Sequence, residues 1–164
     1  MADLQISQEK EILLQELSDD APREARKLLA LWQEFANQGR TPTRDDFNAE
    51  NLAPWHEDIS IYEYHPEKDD FQILLEGENI IALTGEDWRG AFSREVDCHF
   101  STGLHAALSQ ARRTGQPQTH QLQIFQKEWR RGVRLLLPVI LQKDGKEDVC
   151  QVFLAIFPMR DLMS

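Results

Sequence analysis

The chain has 164 residues, 41% of them hydrophobic, and 28 acidic against 18 basic side chains give a formal net charge of −10. That length fits one domain with a real core, and the charge repels nucleic acid and anionic membrane surfaces alike. No run approaches the ~20 apolar residues of a membrane span, the start MADLQISQEK lacks the basic and apolar regions of a signal peptide, and Cys98 and Cys150 form no C-x-x-C pair, so a cytoplasmic protein with free thiols and no structural zinc is expected.

Ile12, Leu13, Leu14 and Leu17 are spaced for one face of a helix over Ser7 to Leu17, with Ser7 as N-cap. Pro22 suits the first turn of a second helix, which runs to about Gln38 with the stripe Leu28, Leu29, Leu31, Trp32 and Phe35 and with Gly39 as its stop. Residues 1–40 are thus expected as a helical cap on a unit formed by 41–164. Thr41 to Leu52 is a turn leading into a short helix capped by Asn48.

Ile59 to His65 alternates as a strand, and Pro66 to Asp70 turns it into a second one, where Phe71, Ile73 and Leu75 alternate with Gln72 and Glu76. Gly77 breaks that run before a helical turn with Ile80, Ile81 and Leu83 inward, which Gly85 closes. A helix from about Asp97 to Thr114 carries Phe100, Leu104, Ala107, Leu108 and Ala111 at helical spacing. Three strands follow, Thr119 to Gln126, Val133 to Gln142 and Val149 to Phe157, the last two joined by a turn at Lys143 to Lys146. The final strand is apolar on both faces, which places it mid-sheet, with the middle helices on one side and the N-terminal helices on the other. Pro138 cannot donate to a ladder and predicts a bulge. The class is α+β.

Chemistry is sparse. The histidines, 56, 65, 99, 105 and 120, are scattered, and on one helix His99 and His105 would stand about 120° and ~9 Å apart, too far for a shared ion. No G-x-S-x-G, G-x-x-x-x-G-K or H-E-x-x-H occurs. Asp45 and Asp46 read as a solvated turn. Lys127, Arg130, Arg131 and Arg134, with Arg112 and Arg113 nearby in sequence, form a local basic run on an acidic chain, and Trp129 within it makes Trp129, Arg130 and Arg131 interaction candidates. The apolar supply of the first two helices exceeds what one sheet face needs, so Leu14 and Leu17 are candidates for a homodimer contact.

Two motifs resemble a family. Gly85-Glu86-Asp87-Trp88-Arg89-Gly90 is a G-x-x-x-x-G loop of the kind that follows the second strand and short helix of PAS sensory domains. Trp32, Pro42, Arg44, Asp46, Phe47 and Leu52, in that order, with the run Leu135 to Val139, resemble stand-alone bacterial PAS-like proteins over residues 28–157. The chain departs from that pattern at Gln72, Ile73 and Leu74, where such proteins often carry an aromatic residue and an arginine.

The resemblance implies a five-stranded antiparallel sheet with helices on one face and an N-terminal helical cap. It implies a regulatory or sensory module that binds a small ligand, a protein, or both. No kinase, cyclase or DNA-binding segment accompanies it, so output would pass through a partner protein or a homodimer. The expected ligand-pocket residues are Trp88, Leu104, His105, Leu137 and Phe153. Asp97-Cys98-His99-Phe100 is similar to the Asn-Cys-Arg-Phe motif of flavin photosensors, but its Cys98 lies eight positions beyond Gly90 and the later strands lack the paired asparagines. No cofactor is therefore expected, with haem on His105 as the alternative, because haem-binding PAS domains place a histidine on the long helix before the third strand. The alternative function is a small α+β enzyme, which needs His105 or His120 beside a carboxylate in a polar, cone-shaped cavity.

Overall fold

The computed structural model describes residues 11–36, 39–125 and 129–159. In chain order the elements are β1 (Glu11–Leu14), α1 (Arg23–Phe35), a 3-10 turn (Ala53–Trp55), β2 (Ile59–His65), β3 (Asp70–Leu75), α2 (Glu78–Thr84), α3 (Ser93–Phe100), α4 (Leu104–Thr114), β4 (Gln118–Phe125), β5 (Trp129–Leu141) and β6 (Val149–Met159). The six strands form one antiparallel sheet in the order β1-β4-β5-β6-β2-β3.

The doubly apolar β6 does lie mid-sheet, between β5 and β2. Its Phe153, Ala155 and Phe157 pack with Ala25, Leu28 and Trp32 of α1, while Val152, Leu154 and Ile156 pack with Ile80, Leu104 and Leu108 from α2 and α4. Part of the second set of residues that carries the family resemblance builds the α1 side. Trp32, Phe47 and Leu52 are buried there, the Ile140 N–H donates to the Pro42 carbonyl, and the Thr43 N–H donates to the Asp46 carboxylate.

Pro138 is not at a bulge. It pairs in register with Val152 of β6, and its other edge lies past the end of β4, whose ladder with β5 stops at Gln118 and Leu136. Among the described residues no strand there needs its missing N–H, and its carbonyl accepts the Trp32 indole N–H at 2.8 Å. The bulge falls in β3 instead. Ile61 pairs with Leu75 but Tyr62 with Ile73, so Leu74 is the extra residue. One inserted residue exchanges the faces of everything after it. Leu75, expected inward, is 43% exposed, and Glu76, expected outward, is buried.

Two helical expectations are corrected. Residues 11–14 are an edge strand of the same sheet, not part of a helix, with Leu13 opposite His120 and Leu14 opposite Thr119; the proposed N-cap Ser7 lies outside the described residues. The cap of residues 1–40 therefore reduces, in its described part, to β1 in the sheet and α1 packed on it. The single helix from Asp97 to Thr114 is two. Ser101 takes a left-handed conformation, φ 57°, and the Asp97 carboxylate caps α4, accepting the Leu104 and His105 N–H groups at 2.8 and 2.9 Å. The helix over 78–84 and its closing Gly85, φ 83°, are as expected. Gly77 has a tighter reason to be glycine: a Cβ there would sit 2.4 Å from the Glu57 carbonyl oxygen.

Candidate functional site

Between the sheet and α2–α4 lies a cavity of about 50 Å³. Tyr62, Ile73, Glu76, Arg134, Leu154 and Ile156 line its sheet side; Ile80, Thr84, Trp88, Val96, Phe100, Thr102 and Leu104 close it from the helices and their connections. The wall is mainly apolar, and its polar groups are few and specifically held.

Arg134 projects from β5 on the same face as the buried Leu136 and is 3% exposed. Its Nη1 donates to Glu11 Oε1 at 2.8 Å, and the second oxygen of Glu11 accepts the Gly103 N–H at 2.8 Å. Strand β1 thus ties the central arginine to the start of α4. Glu76 Oε1 accepts the Trp88 backbone N–H at 2.8 Å and Oε2 accepts the Ser60 hydroxyl at 3.3 Å, which folds the 85–90 loop over the cavity. Burial raises the Glu76 carboxyl above its ordinary range against these two hydrogen bonds. Burial first, and the Glu76 charge second, hold the Tyr62 phenol protonated. The Trp88 ring packs on His99 and Phe100, with centroids at 4.9 and 5.6 Å.

His120 stands opposite both Arg134 and Leu13 in the sheet. Burial, then the charge of Arg134, lowers its pKa from 6.5 to about 3. The folded protein refuses a proton that the unfolded chain accepts, so the stability this group contributes is complete above pH 6.5 and is lost as pH falls toward 3. At pH 5 the loss is about 2 kcal/mol. Urea unfolding of wild type and His120→Leu at pH 7 and pH 5 measures it: the wild type is expected to lose more stability than the variant, and equal losses would remove His120 as the cause.

Of the expected pocket residues, Trp88 and Leu104 line the cavity. Leu137 and Phe153 do not; they lie in the cluster under α1, because each is one position out of phase with Leu136 and Leu154, which pack on the α2–α4 side of the sheet. His105 lies outside the lining as well. Ser93 Oγ donates to Asp70 Oδ1 at 2.6 Å and faces His105 Nδ1 at 2.8 Å. The single hydroxyl proton goes to the carboxylate, so Nδ1 carries the hydrogen of the second bond. Asp70 and His105 are 3.4 Å apart, and His105 Nε2 faces Ser109 Oγ at 3.5 Å. Asp70 also accepts the Phe71 and Arg94 N–H groups at 2.8 and 3.3 Å, so this cluster stitches β3 to α3 and α4. Among the described residues no group of three His, Cys, Asp or Glu side chains could hold a metal ion.

The interaction candidates scatter. Arg131 meets Asp20 at 3.5 Å, Leu17 packs half-buried on the α1 cluster, and Leu14 is half-buried on β1. The side chains of Trp129 and Arg130, and all of Lys127, lie outside the described residues. Arg134 leaves the basic run for the core, and Arg112 lies over the Tyr64 ring at 4.0 Å. Glu11, Tyr62, Glu76 and Arg134 are among the site residues that the sequence reading missed; for Arg134 the signal was its two-residue spacing from Leu136. No helix among the described residues is long and apolar enough to cross a membrane. No protein family matches the chain, and neither a curated protein nor a solved structure matches it significantly.

Proposed function

We propose that this chain is a PAS-like regulatory module that binds a small molecule under α2–α4 and passes the response to a partner protein or a second copy of itself. The observation that carries the reading is the cavity: a mainly apolar space with a few fixed polar groups, the composition of a small-molecule site. The arrangement around it supports the PAS comparison. With β1 set aside, five antiparallel strands remain, and α2, α3 and α4 all fall between the second and the third of them. The enzyme reading requires a histidine and a carboxylate together in the cavity. Asp70 and His105 meet at 3.4 Å, but neither lines this cavity.

Dimer formation belongs to the same proposal, with a changed surface. Leu28 and Trp32 are buried within the subunit and Leu29, Leu31 and Phe35 pack against its core, while Ile12 and Leu13 on the edge strand β1 are 54% and 62% exposed. Native mass spectrometry of freshly purified protein, thermal unfolding across a metabolite panel, and light scattering at micromolar concentration test the proposal together. A bound or stabilising small molecule is expected, with a dimer that Ile12→Glu and Leu13→Glu dissociate. No stabilisation by any compound would leave protein interaction alone, and a monomeric wild type would remove the dimer.

A further inference from the structure

We propose that the cavity takes a nonpolar molecule of about two heavy atoms, the size of dioxygen, ethene or ethane, and holds it by contact alone. The inference rests on the ligand-binding reading above and names its ligand class. Volume sets the size. A cavity of about 150 Å³ holds benzene, with its six heavy atoms, and at about 50 Å³ this one has room for about two. The wall sets the chemistry, because the surface that faces the space is nearly all carbon. Its polar side chains are occupied or turned away. Glu76 accepts the Trp88 N–H on one oxygen and the Ser60 hydroxyl on the other. The Thr84 hydroxyl donates to the Glu86 carbonyl at 2.9 Å, and the Thr102 hydroxyl donates to the Asp97 carboxylate. Arg134 spends Nη1 on Glu11, while its Nε and Nη2 and the Trp88 indole nitrogen are enclosed by the protein rather than open to the space.

Of the polar side chains on the wall, that leaves the Tyr62 hydroxyl. A buried water needs about two to four polar partners, and a ligand with a hydrogen-bonding group of its own would exchange its partners in bulk water for at most this one. A nonpolar molecule gives up no such partners on entry, and it supplies contacts to a lining that otherwise has none on one side. Position gives so small an occupant its effect. Ile80 of α2, Val96 of α3 and Leu104 of α4 face Leu154 and Ile156 of β6 around the same space. One molecule there touches every helix on this side of the sheet and the central strand together.

The experiment titrates ethane, methanol and xenon into the full-length protein with labelled Ile, Leu and Val methyl groups, followed by NMR. Methanol matches ethane in heavy atoms and differs by its hydroxyl. Wild type is compared with Tyr62→Phe, which removes that hydroxyl from the wall, and with Val96→Phe, whose ring takes the space from α3; Ile80→Phe fills it from α2 and repeats the test should Val96→Phe not fold. In the wild type, ethane and xenon are expected to saturate, to compete, and to shift the methyl groups of Ile80, Leu104 and Leu154, with methanol about tenfold weaker or more. Tyr62→Phe is expected to bind ethane within about twofold of wild type, and the filling variants are expected to lose it by about tenfold or more. Methanol binding as tight as that of ethane and lost in Tyr62→Phe overturns the inference in favour of a polar site, as does a long-lived water with cross-relaxation to the same methyl groups. Xenon entry without saturable ethane binding, or ethane binding that the filling variants leave unchanged, also overturns it; in each of these cases the cavity reading stands. Exclusion of xenon from the wild type overturns the inference and the cavity reading together.

Discussion

Glu11→Ala is expected to destabilise the protein by about 3–5 kcal/mol, far more than an edge-strand glutamate would ordinarily cost. The side chains of Glu11 and Arg134 are 6% and 3% exposed. Removing the carboxylate takes the only hydrogen-bond partner the guanidinium has among the described residues, and it also frees the Gly103 N–H at the start of α4. An uncompensated buried charge dominates that cost; the attraction within the pair is largely offset by its own desolvation. The double variant Glu11→Leu with Arg134→Met is therefore expected within about 2 kcal/mol of wild type, and the single changes are expected to be strongly non-additive. Glu24→Ala is the control. Its partner Lys27 stands at 3.8 Å with both side chains about half exposed, and its loss is expected to cost about 0.5 kcal/mol or less. Urea unfolding of wild type, Glu11→Ala, Glu24→Ala, the double variant and its two single variants Glu11→Leu and Arg134→Met measures the set, and a Glu11→Ala cost as small as that of Glu24→Ala would place the pair in solvent.

The strong local patterns were legible. The seven alternating residues of β2 and the helical turn closed by Gly85 lie where periodicity and glycine placement put them, and the doubly apolar β6 sits mid-sheet as its composition requires. Elements whose state depends on a distant partner were not. Glu11 to Leu14 are compatible with helix or strand, and pairing with β4, more than one hundred residues later, decides for the strand. Asp97 has the spacing of a helical interior, but its carboxylate serves better as the cap of α4. The bulge at Leu74 left no mark in the alternation of Phe71, Ile73 and Leu75, yet it is what turns Glu76 into the cavity. A run of arginines reads as surface by default, so Arg134 was counted with its neighbours although β-strand alternation separates it from Arg131. The site was illegible chiefly because Glu11 comes from β1, Tyr62 from β2, Glu76 from just after β3 and Arg134 from β5, and no local pattern connects them.

Phe153→Ala is expected to cost about 3–5 kcal/mol without altering the cavity under α2–α4. Phe153 is 1% exposed. Its ring meets Phe47 edge to face, with centroids 5.5 Å apart and planes at 85°, and the Arg44 guanidinium lies 5.2 Å from its centroid. Phe47 in turn touches Phe35 of α1 at 6.3 Å, so one truncation removes the ring that seats both the 43–47 turn and the C-terminal end of α1. The transfer cost of the ring, the void left behind and the lost edge-to-face pair act in the same direction. Leu154, the next residue, points to the other face and lines the cavity. Leu154→Ala is expected to cost about 2–5 kcal/mol and to enlarge that cavity, shifting the resonance of bound xenon. Phe153→Ala should leave the resonance from that cavity where it is in the wild type. A xenon shift in Phe153→Ala that matches the one in Leu154→Ala would mean that the two faces of β6 share one space, and that the sheet does not separate the α1 core from the ligand cavity.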